Sequence, residues 1–404
     1  MHAHSVDVIV AGAGIAGAAS ALSLAEQGLT VALIEPSTIA ADAPPPAASI
    51  EEVDPRVSAI SLASERLLHR LDAWSVIPSN VISPYRHMVV WEADGTGEIQ
   101  FDATSVNRPQ LGYIIENRWI VHGLISRLMA NRHVQMHPNA AVTAFKFDPA
   151  VKRASVMLSD GQQIAARLIV AADGARSTLR DLAGIETDNQ DTGQSAIVTT
   201  AHTALPHRET AWQNFLPTGP LAFLPLGSLA EQRASSIVWS AERALATELM
   251  AHDEQRFCRA LERGLEQRLG RVQACSQRYI FPLYQRHARS YFVPGLVLIG
   301  DAAHAIHPLA GQGINLGLSD VAVLSEEIAR ARHRETDWAA AGVLARYQRR
   351  RIGENALMLH AMTGFRRLFG ANQPALRLAR NFGLRMVNNA GAVKKQFIRH
   401  AMGI

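Results

Sequence analysis

Apolar positions form short compact runs near the two ends of this chain and alternating stretches through its middle. Val6 to Val10 is an apolar run long enough for a strand and too short for a helix. An Ala/Leu-rich pattern at helical spacing continues to Gln27, and a second apolar run, Thr30 to Ile34, ends at Glu35. Strand, helix and strand in this order predict a βαβ unit. Asn117 to Met129 has helical spacing, and strands are predicted around Val134 to Phe147, Ala154 to Leu158 and Ile164 to Ala172. Asp160-Gly161 reads as a hairpin turn, and Tyr85 to Asp102 as a hairpin turning at Asp94-Gly95. Gln194 to Trp239 reads as several strands broken by Pro and Gly, and Glu242 to Gly270 as helix. After Gly313, the residues Ile314, Leu318, Val321, Leu324 and Ile328 recur at steps of three and four, one buried helix face.

Glycines sharpen the first of these units. Gly12-Ala-Gly14-Ile-Ala-Gly17 follows a strand and opens a helix, the context in which such spacing signals dinucleotide binding. Gly12 permits the tight turn, Gly14 lets a pyrophosphate approach the backbone, and Gly17 packs the helix on the strand. Glu35, 18 residues beyond Gly17, is placed to accept hydrogen bonds from a ribose hydroxyl. A signal peptide or membrane span is excluded by Asp7, by the lack of a basic segment before it, and by the glycine spacing.

Two further segments have the look of cofactor loops. In Arg167 to Arg180 a strand delivers Asp173-Gly174, with Ser177 and Arg180 following; taken alone, Asp173 could equally cap the next helix. In Leu298 to Asp320, LIGDAAHAIHPLAGQGINLGLSD, an apolar strand ends at Gly300-Asp301, and a Pro-Leu-Ala-Gly-Gln-Gly turn opens a helix. Gly311 and Gly313 admit close backbone approach, and the N–H groups of the new helix point the positive end of its dipole at an anionic ligand.

Together these motifs resemble the para-hydroxybenzoate hydroxylase-like flavoprotein monooxygenases. Within that group, His307-Pro308 through Gly311-Gln312-Gly313, Asn315, Gly317 and Asp320 is similar to the signature of the ubiquinone-biosynthesis FAD-dependent hydroxylases, the UbiH/UbiF/VisC type. Asp54-Pro-Arg56-Val-Ser-Ala-Ile60 is similar to their conserved-arginine loop, and Phe365 to Gly403 resembles their C-terminal portion. The likeness spans the chain and is weakest from about Asp188 to Ala274, where substrate choice would lie. The Pro44-Pro45-Pro46 stretch, an irregular stiff loop before Asp54, departs from the pattern.

The resemblance implies a mixed α/β fold, with a Rossmann-like FAD-binding domain of the para-hydroxybenzoate hydroxylase type, an inserted β-rich substrate domain and a helical C-terminal region. The expected division is a discontinuous FAD-binding domain over 1–75, 107–185 and 280–345, a substrate domain over 76–106 and 186–279, and a helical region over 346–404. It implies FAD bound by Gly12, Gly14, Gly17, Glu35, Arg56, Arg118, Asp173, Gly300, Asp301, Gly311, Gly313 and Asn315, with Arg118 reaching the phosphates and Arg56 near the isoalloxazine. The catalytic positions implied are Pro308, bordering the C4a side of the ring, and Gly311, Gln312 and Gly313, whose backbone N–H groups would face N1 and O2. A single GxGxxG leaves no second Rossmann domain for NAD(P)H, so that reductant is expected to bind transiently. The cycle implied is flavin reduction, reaction with O2 to a flavin C4a-hydroperoxide, and hydroxylation of a polyprenylated phenol or quinol precursor of ubiquinone. A small soluble phenol or alkene substrate, or a non-catalytic FAD-binding assembly protein, are the alternatives. Tyr284, Trp212 and Phe223 are candidates for cavity lining or plain core.

Composition changes the picture at one end only. The net charge is +4, yet Asn355 to Ile404 holds eight basic residues and no acidic one, which leaves the rest of the chain at −4. Arg366, Arg367, Arg377, Arg380, Arg385, Lys394, Lys395 and Arg399 are interleaved with Phe365, Leu368, Phe369, Leu378, Phe382 and Met386. Such a segment suits an anionic membrane surface or a partner within a ubiquinone-synthesis complex, or else a cap on the body of the protein. Nucleic acid is not expected, for want of a binding motif; a homo-oligomer is compatible. Cys258 and Cys275 are the only cysteines and have neither metal nor redox spacing, which argues for a reduced cytosolic setting and against a disulfide framework. His304 and His307 come without a ligand set, so turn and packing roles are expected of them and no metal is. The expected location is the cytoplasm, peripheral to the inner face of the membrane.

Overall fold

A computed structural model describes residues 4–93, 97–227, 229–305, 313–370 and 391–403, with only some of the side chains beyond Met358. A six-stranded sheet holds the N-terminal unit. Val8–Ala11 lies between Leu168–Ala171 and Val31–Glu35, all parallel, with Leu296–Leu298 beyond the former and Val134–Pro138 beyond the latter. Val8–Ala11 and Leu168–Ala171 are buried at every position, the pattern of parallel strands covered on both faces. The helix Ile15–Ala25 packs against the helices Asn117–Met129 and Gly313–His333, and a four-stranded sheet including Arg153–Leu158 lies against the parallel sheet.

The predicted strand Ile164 to Ala172 is two strands in two sheets. Gln163–Ala166 pairs with Arg153–Leu158, while Leu168–Ala171 enters the parallel sheet. Arg167 makes the crossing, its N–H bonded to the Asp7 carbonyl. The helix expected over Glu242 to Gly270 is likewise two, Arg243–Ala251 and Glu254–Gly264. The break falls where Asp253 caps the second helix, its carboxylate accepting from the Arg256 N–H at 2.7 Å.

A nine-stranded mixed sheet forms the other half. Its long strand Thr187–Thr203 pairs with Ala234–Glu242 on one side and Tyr279–Ala288 on the other, and Val272–Cys275 joins its end. His87–Glu92 and Glu98–Asp102 make the expected hairpin, with Asp94-Gly95 outside the described residues. The two helices after Glu242 cover one face, burying Phe257 and Leu261 against Ile197, Phe223 and Trp239. Phe223 is therefore core, whereas Tyr284 is exposed and Trp212 half-buried. Toward the opposite side, Ile398 and Met402 of the last helix, Gly391–Met402, are buried with Ala59, Leu62 and Tyr85. The end of the chain thus packs back on the body, and the Gly403 carbonyl accepts from Arg66 Nη2 at 2.9 Å.

Candidate functional site

Three segments far apart in sequence meet at the start of the helix Ile15–Ala25. Gly12 sits at φ +101°, and a Cβ there would meet the Ala172 carbonyl oxygen at 2.4 Å, so the first glycine loop lies directly against the Asp173 loop. The Ala172 N–H bonds to the Ala11 carbonyl, fixing that register. At Gly17 a Cβ would fall 1.8 Å from the Gly12 carbonyl oxygen, so the helix closes onto its own loop. Gly14 differs: a Cβ there would find no heavy atom within 4 Å, and this exposed residue caps the helix without a side-chain bond. The loop and helix N-terminus form a cradle left open at Gly14, which suits the approach of a pyrophosphate.

Glu35 braces this cradle. One carboxylate oxygen accepts from the Ala13 N–H at 2.7 Å, and the other from the hydroxyl and N–H of Ser37 at 2.6 and 3.1 Å. On the second segment, Asp173 accepts from the Leu179 N–H at 3.0 Å with one oxygen, while its other oxygen is buried with no partner among the described residues. Arg180, buried beneath, ties the Ala175 carbonyl to the Ala302 carbonyl, each at 3.2 Å, and so links the second segment to the third.

The Arg56 loop is held from behind. Asp54 N–H donates to Glu116 at 2.6 Å, Arg118 pairs with the same carboxylate oxygen at 2.8 Å, and Arg56 passes its carbonyl to the Asn117 N–H at 2.8 Å. Arg118 Nε is buried without a partner among the described residues. A guanidinium N–H and a carboxylate oxygen left in this state fit a ligand that accepts at one and donates at the other, as a nucleotide's phosphate and hydroxyls do.

The third segment rests on a buried carboxylate. Asp320, fully enclosed, accepts from the Gly300 N–H at 2.9 Å, His304 Nε2 at 2.5 Å, Arg351 Nε at 2.7 Å and Asn355 Nδ2 at 3.3 Å. Burial alone would raise its pKa, but His304 and Arg351 outweigh burial and hold it below the usual carboxylate range. Gly300, at φ +57°, approaches the first segment so closely that a Cβ would lie 3.2 Å from that of Ala16. The side chain of Asp301 stays accessible although protein surrounds it on most sides. That desolvation pushes its carboxyl above the ordinary range, with His304 and Arg56 acting in the opposite direction. Asn315 spends its side chain on protein: Oδ1 accepts from Ser61 N–H and Ser64 Oγ, and Nδ2 donates to the Ala59 carbonyl. Gly313 opens the helix. Pro308, Gly311, Gln312 and His307 lie outside the described residues.

Two features escaped the sequence reading. The Asp320–His304–Arg351–Asn355 network ties two residues of the third segment, of which His304 was expected only to pack, to Arg351 and Asn355, which belong to no motif. Cys258 and Cys275, set aside on spacing, bring their sulfurs to 3.3 Å. Among the described residues no group of three or more His, Cys, Asp or Glu could hold a metal ion.

The architecture matches that of known flavoproteins. A probable FAD-dependent monooxygenase from Pseudomonas aeruginosa, PqsL, superposes with a TM-score of 0.77 over 95% of this chain and 100% of its own, at 22% identity. The p-nitrophenol 4-monooxygenase PnpA from Pseudomonas putida gives 0.76 over 99% and 98%, at 18% identity. The family model described as FAD binding domain matches residues 114–359, and one described as FAD dependent oxidoreductase matches residues 7–44. In sequence the chain is 36% identical to the 3-demethoxyubiquinol 3-hydroxylase of Escherichia coli, covering 98% of both chains. The chain belongs to the FAD-dependent ubiquinone-biosynthesis hydroxylases. Human COQ6, the mitochondrial ubiquinone biosynthesis monooxygenase, is 31% identical over 98% of this chain and 92% of its own. The resemblance drawn from the motifs, the mixed α/β fold it implied and FAD as the cofactor all agree with these matches.

Proposed function

We propose that this protein hydroxylates the aromatic ring of a polyprenylated phenol or quinol intermediate of ubiquinone biosynthesis, with NAD(P)H as transient reductant and O2 as co-substrate. The observation that carries the reading is full-length likeness to a 3-demethoxyubiquinol 3-hydroxylase in a chain whose three cofactor-type segments converge on one helix N-terminus. When bound, FAD supplies the electron storage and oxygen activation; the chain supplies position, dryness and electrostatics. In this reading the loop Gly12–Gly17 cradles the pyrophosphate, with Gly14 nearest to it. Glu35 holds that loop and accepts from a ribose hydroxyl, while Arg118 offers Nε to the phosphates. Asp173 and Gly300-Asp301 take the ribityl and pyrophosphate region, Asp320 fixing Gly300 from behind. Arg56 guards the entrance. Gly313 places helix N–H groups where a negative charge on the ring would be stabilised, and the Asn315 backbone N–H lies in the same turn. Pro308, Gly311 and Gln312 would complete the reacting side.

The division 1–75, 107–185 and 280–345 for cofactor, 76–106 and 186–279 for substrate, and 346–404 as helical region belongs to the same reading. So does peripheral attachment to the inner face of a membrane through the basic C-terminal stretch, where a polyprenyl substrate resides. Among the described residues no helix is long and apolar enough to cross a membrane. Because Ile398 and Met402 are core residues, deleting the tail would damage the fold; the better probe replaces the exposed Lys395 and Arg399 with Gln. That change is expected to weaken sedimentation with anionic liposomes roughly thirtyfold, at about 1 kcal/mol for each of the two charges, and less so at high salt. Unaltered, salt-insensitive binding would refute the surface.

Asp301→Ala is expected to purify colourless or to shed FAD on gel filtration, with the far-UV circular dichroism retained. Full yellow occupancy would reject Asp301 as a ligand. A strain lacking the protein is expected to accumulate a ring-unhydroxylated polyprenyl intermediate by mass spectrometry. Normal quinone there would favour a small soluble phenol or a non-catalytic assembly role instead.

A further inference from the structure

The cysteines lie away from the three cofactor-type segments, in the cover of the nine-stranded sheet. Cys258 is on the helix Glu254–Gly264 and Cys275 ends the strand Val272–Cys275, and both belong to the apolar cluster around Phe257, Leu261 and Trp239. Their side chains face each other, Sγ to Sγ 3.3 Å, as free thiols. A disulfide needs about 2.05 Å, and sulfurs already in contact are placed to form that bond once an oxidant removes two electrons and two protons. The surroundings treat the two thiols differently. The hydrogen bond from Cys275 holds Cys258 below the usual thiol range, and the nearby Arg278 acts the same way against Glu254 and Glu262. The same bond, with burial, pushes Cys275 up. Arg278 is itself fixed, donating to the Leu249 and His252 carbonyls at 3.0 and 2.8 Å. One sulfur is thus suited to attack and its neighbour to resolve.

We propose that Cys258 and Cys275 are a reversible oxidation site, a dithiol that hydrogen peroxide closes to a disulfide joining the helix Glu254–Gly264 to the strand Val272–Cys275. The oxidant is the two-electron product formed whenever a reduced flavin meets dioxygen without transferring oxygen to substrate. Cys258 thiolate attacks one peroxide oxygen, the O–O bond breaks, and hydroxide leaves and takes up a proton to become water. Cys275 sulfur then attacks the sulfenic sulfur, the S–O bond breaks, and a second water leaves with the Cys275 proton. Two thiols lose two electrons and two protons, and one peroxide becomes two waters. Pairing diverts Cys258 from the irreversible acids further up the oxidation ladder. At 6% and 8% exposure the two residues are shielded from protein thiols, so the oxidant has to be a molecule as small as peroxide.

The test uses the full-length FAD-loaded protein, treated with a few-fold excess of hydrogen peroxide, denatured in iodoacetamide and mapped by mass spectrometry. The expected result is a loss of about 2 Da, a crosslinked peptide pair carrying Cys258 and Cys275, and recovery of both thiols by a dithiol reductant in denaturant. The oxidised form is expected to melt a few degrees higher, because the crosslink closes a loop in the unfolded chain. Cys275→Ser is expected to leave a sulfenic acid on Cys258 that dimedone traps. The proposal is overturned if both cysteines of the treated wild-type protein remain alkylatable, if either climbs to a sulfinic or sulfonic acid, or if the crosslink joins two chains. None of these outcomes depends on the substrate of the hydroxylase.

Discussion

Gly17→Ala is expected to give protein that folds its β-sheets but does not retain FAD. The added Cβ would sit 1.8 Å from the Gly12 carbonyl oxygen, 2.9 Å from the carbonyl carbon and 3.1 Å from the Cβ of Ala172. Two of these atoms are backbone, so the clash cannot be relieved by turning a side chain. Either the helix Ile15–Ala25 lifts from its sheet or the glycine loop moves away. Overpacking in a tight site costs about 3 kcal/mol at the upper part of its usual range. If that falls on the bound conformation, FAD affinity drops roughly 100-fold. Gly14→Ala separates cradle from fold. Its φ of −66° is open to any residue and its new methyl meets no protein atom within 4 Å. The apo-protein should therefore stay within about 0.5 kcal/mol of wild type while FAD binding still falls. Wild-type FAD affinity in Gly14→Ala, read by fluorescence titration, would show that the pyrophosphate does not enter there.

Asp320→Ala is expected to destabilise the protein by about 3–5 kcal/mol, the cost of leaving buried charge without its partner. His304 and Arg351 stay enclosed, and the Gly300 N–H loses its acceptor. Urea unfolding at an unchanged slope measures the loss. The turn at Gly300-Asp301 should loosen as well, so FAD dissociates faster. Acid gives a second readout. The folded Asp320 carboxyl titrates below its unfolded value, so its contribution is complete above that value, about pH 4, and disappears as pH falls through the lower folded pKa. The stability gap between wild type and Asp320→Asn should therefore be constant near neutrality and narrow below about pH 4. A gap unchanged down to pH 3 would mean that the folded protein does not hold the Asp320 carboxyl below its unfolded value.

What the sequence could show of this site depended on how local each requirement is. Gly12, Gly14 and Gly17 serve one turn and one helix start, so their spacing carries their geometry. Asp173 and Gly300-Asp301 were legible because each ends an apolar strand of a parallel sheet, where ligands of such folds gather. Arg351 was not, since it reaches Asp320 from another helix, 31 residues on, at a position with no motif of its own. The same holds for Cys258 and Cys275, whose meeting follows from packing a helix on the end of a strand. Thr187 to Gly193, TDNQDTG, lies before the strands expected from Gln194 onward, yet it is strand. Its partner strand and the chain just beyond supply the reason: Arg286 donates to Asn189 at 2.6 Å, and Arg289 to Asp188 at 2.8 Å. Tertiary pairing overrides low strand propensity there. The basic C-terminal stretch carried both readings, surface and cap; Ile398 and Met402 assign its last helix to the body of the protein, with Lys395 and Arg399 left exposed.

The most direct test of the hydroxylase assignment is the origin of the new oxygen. The purified FAD-loaded protein, reduced without air and given a polyprenylated phenol under labelled dioxygen, 18O2, is expected to form a ring-hydroxylated product carrying one heavy oxygen atom. A product labelled only from water, or reoxidation of the flavin with no hydroxylated product across the polyprenyl substrates, would contradict it.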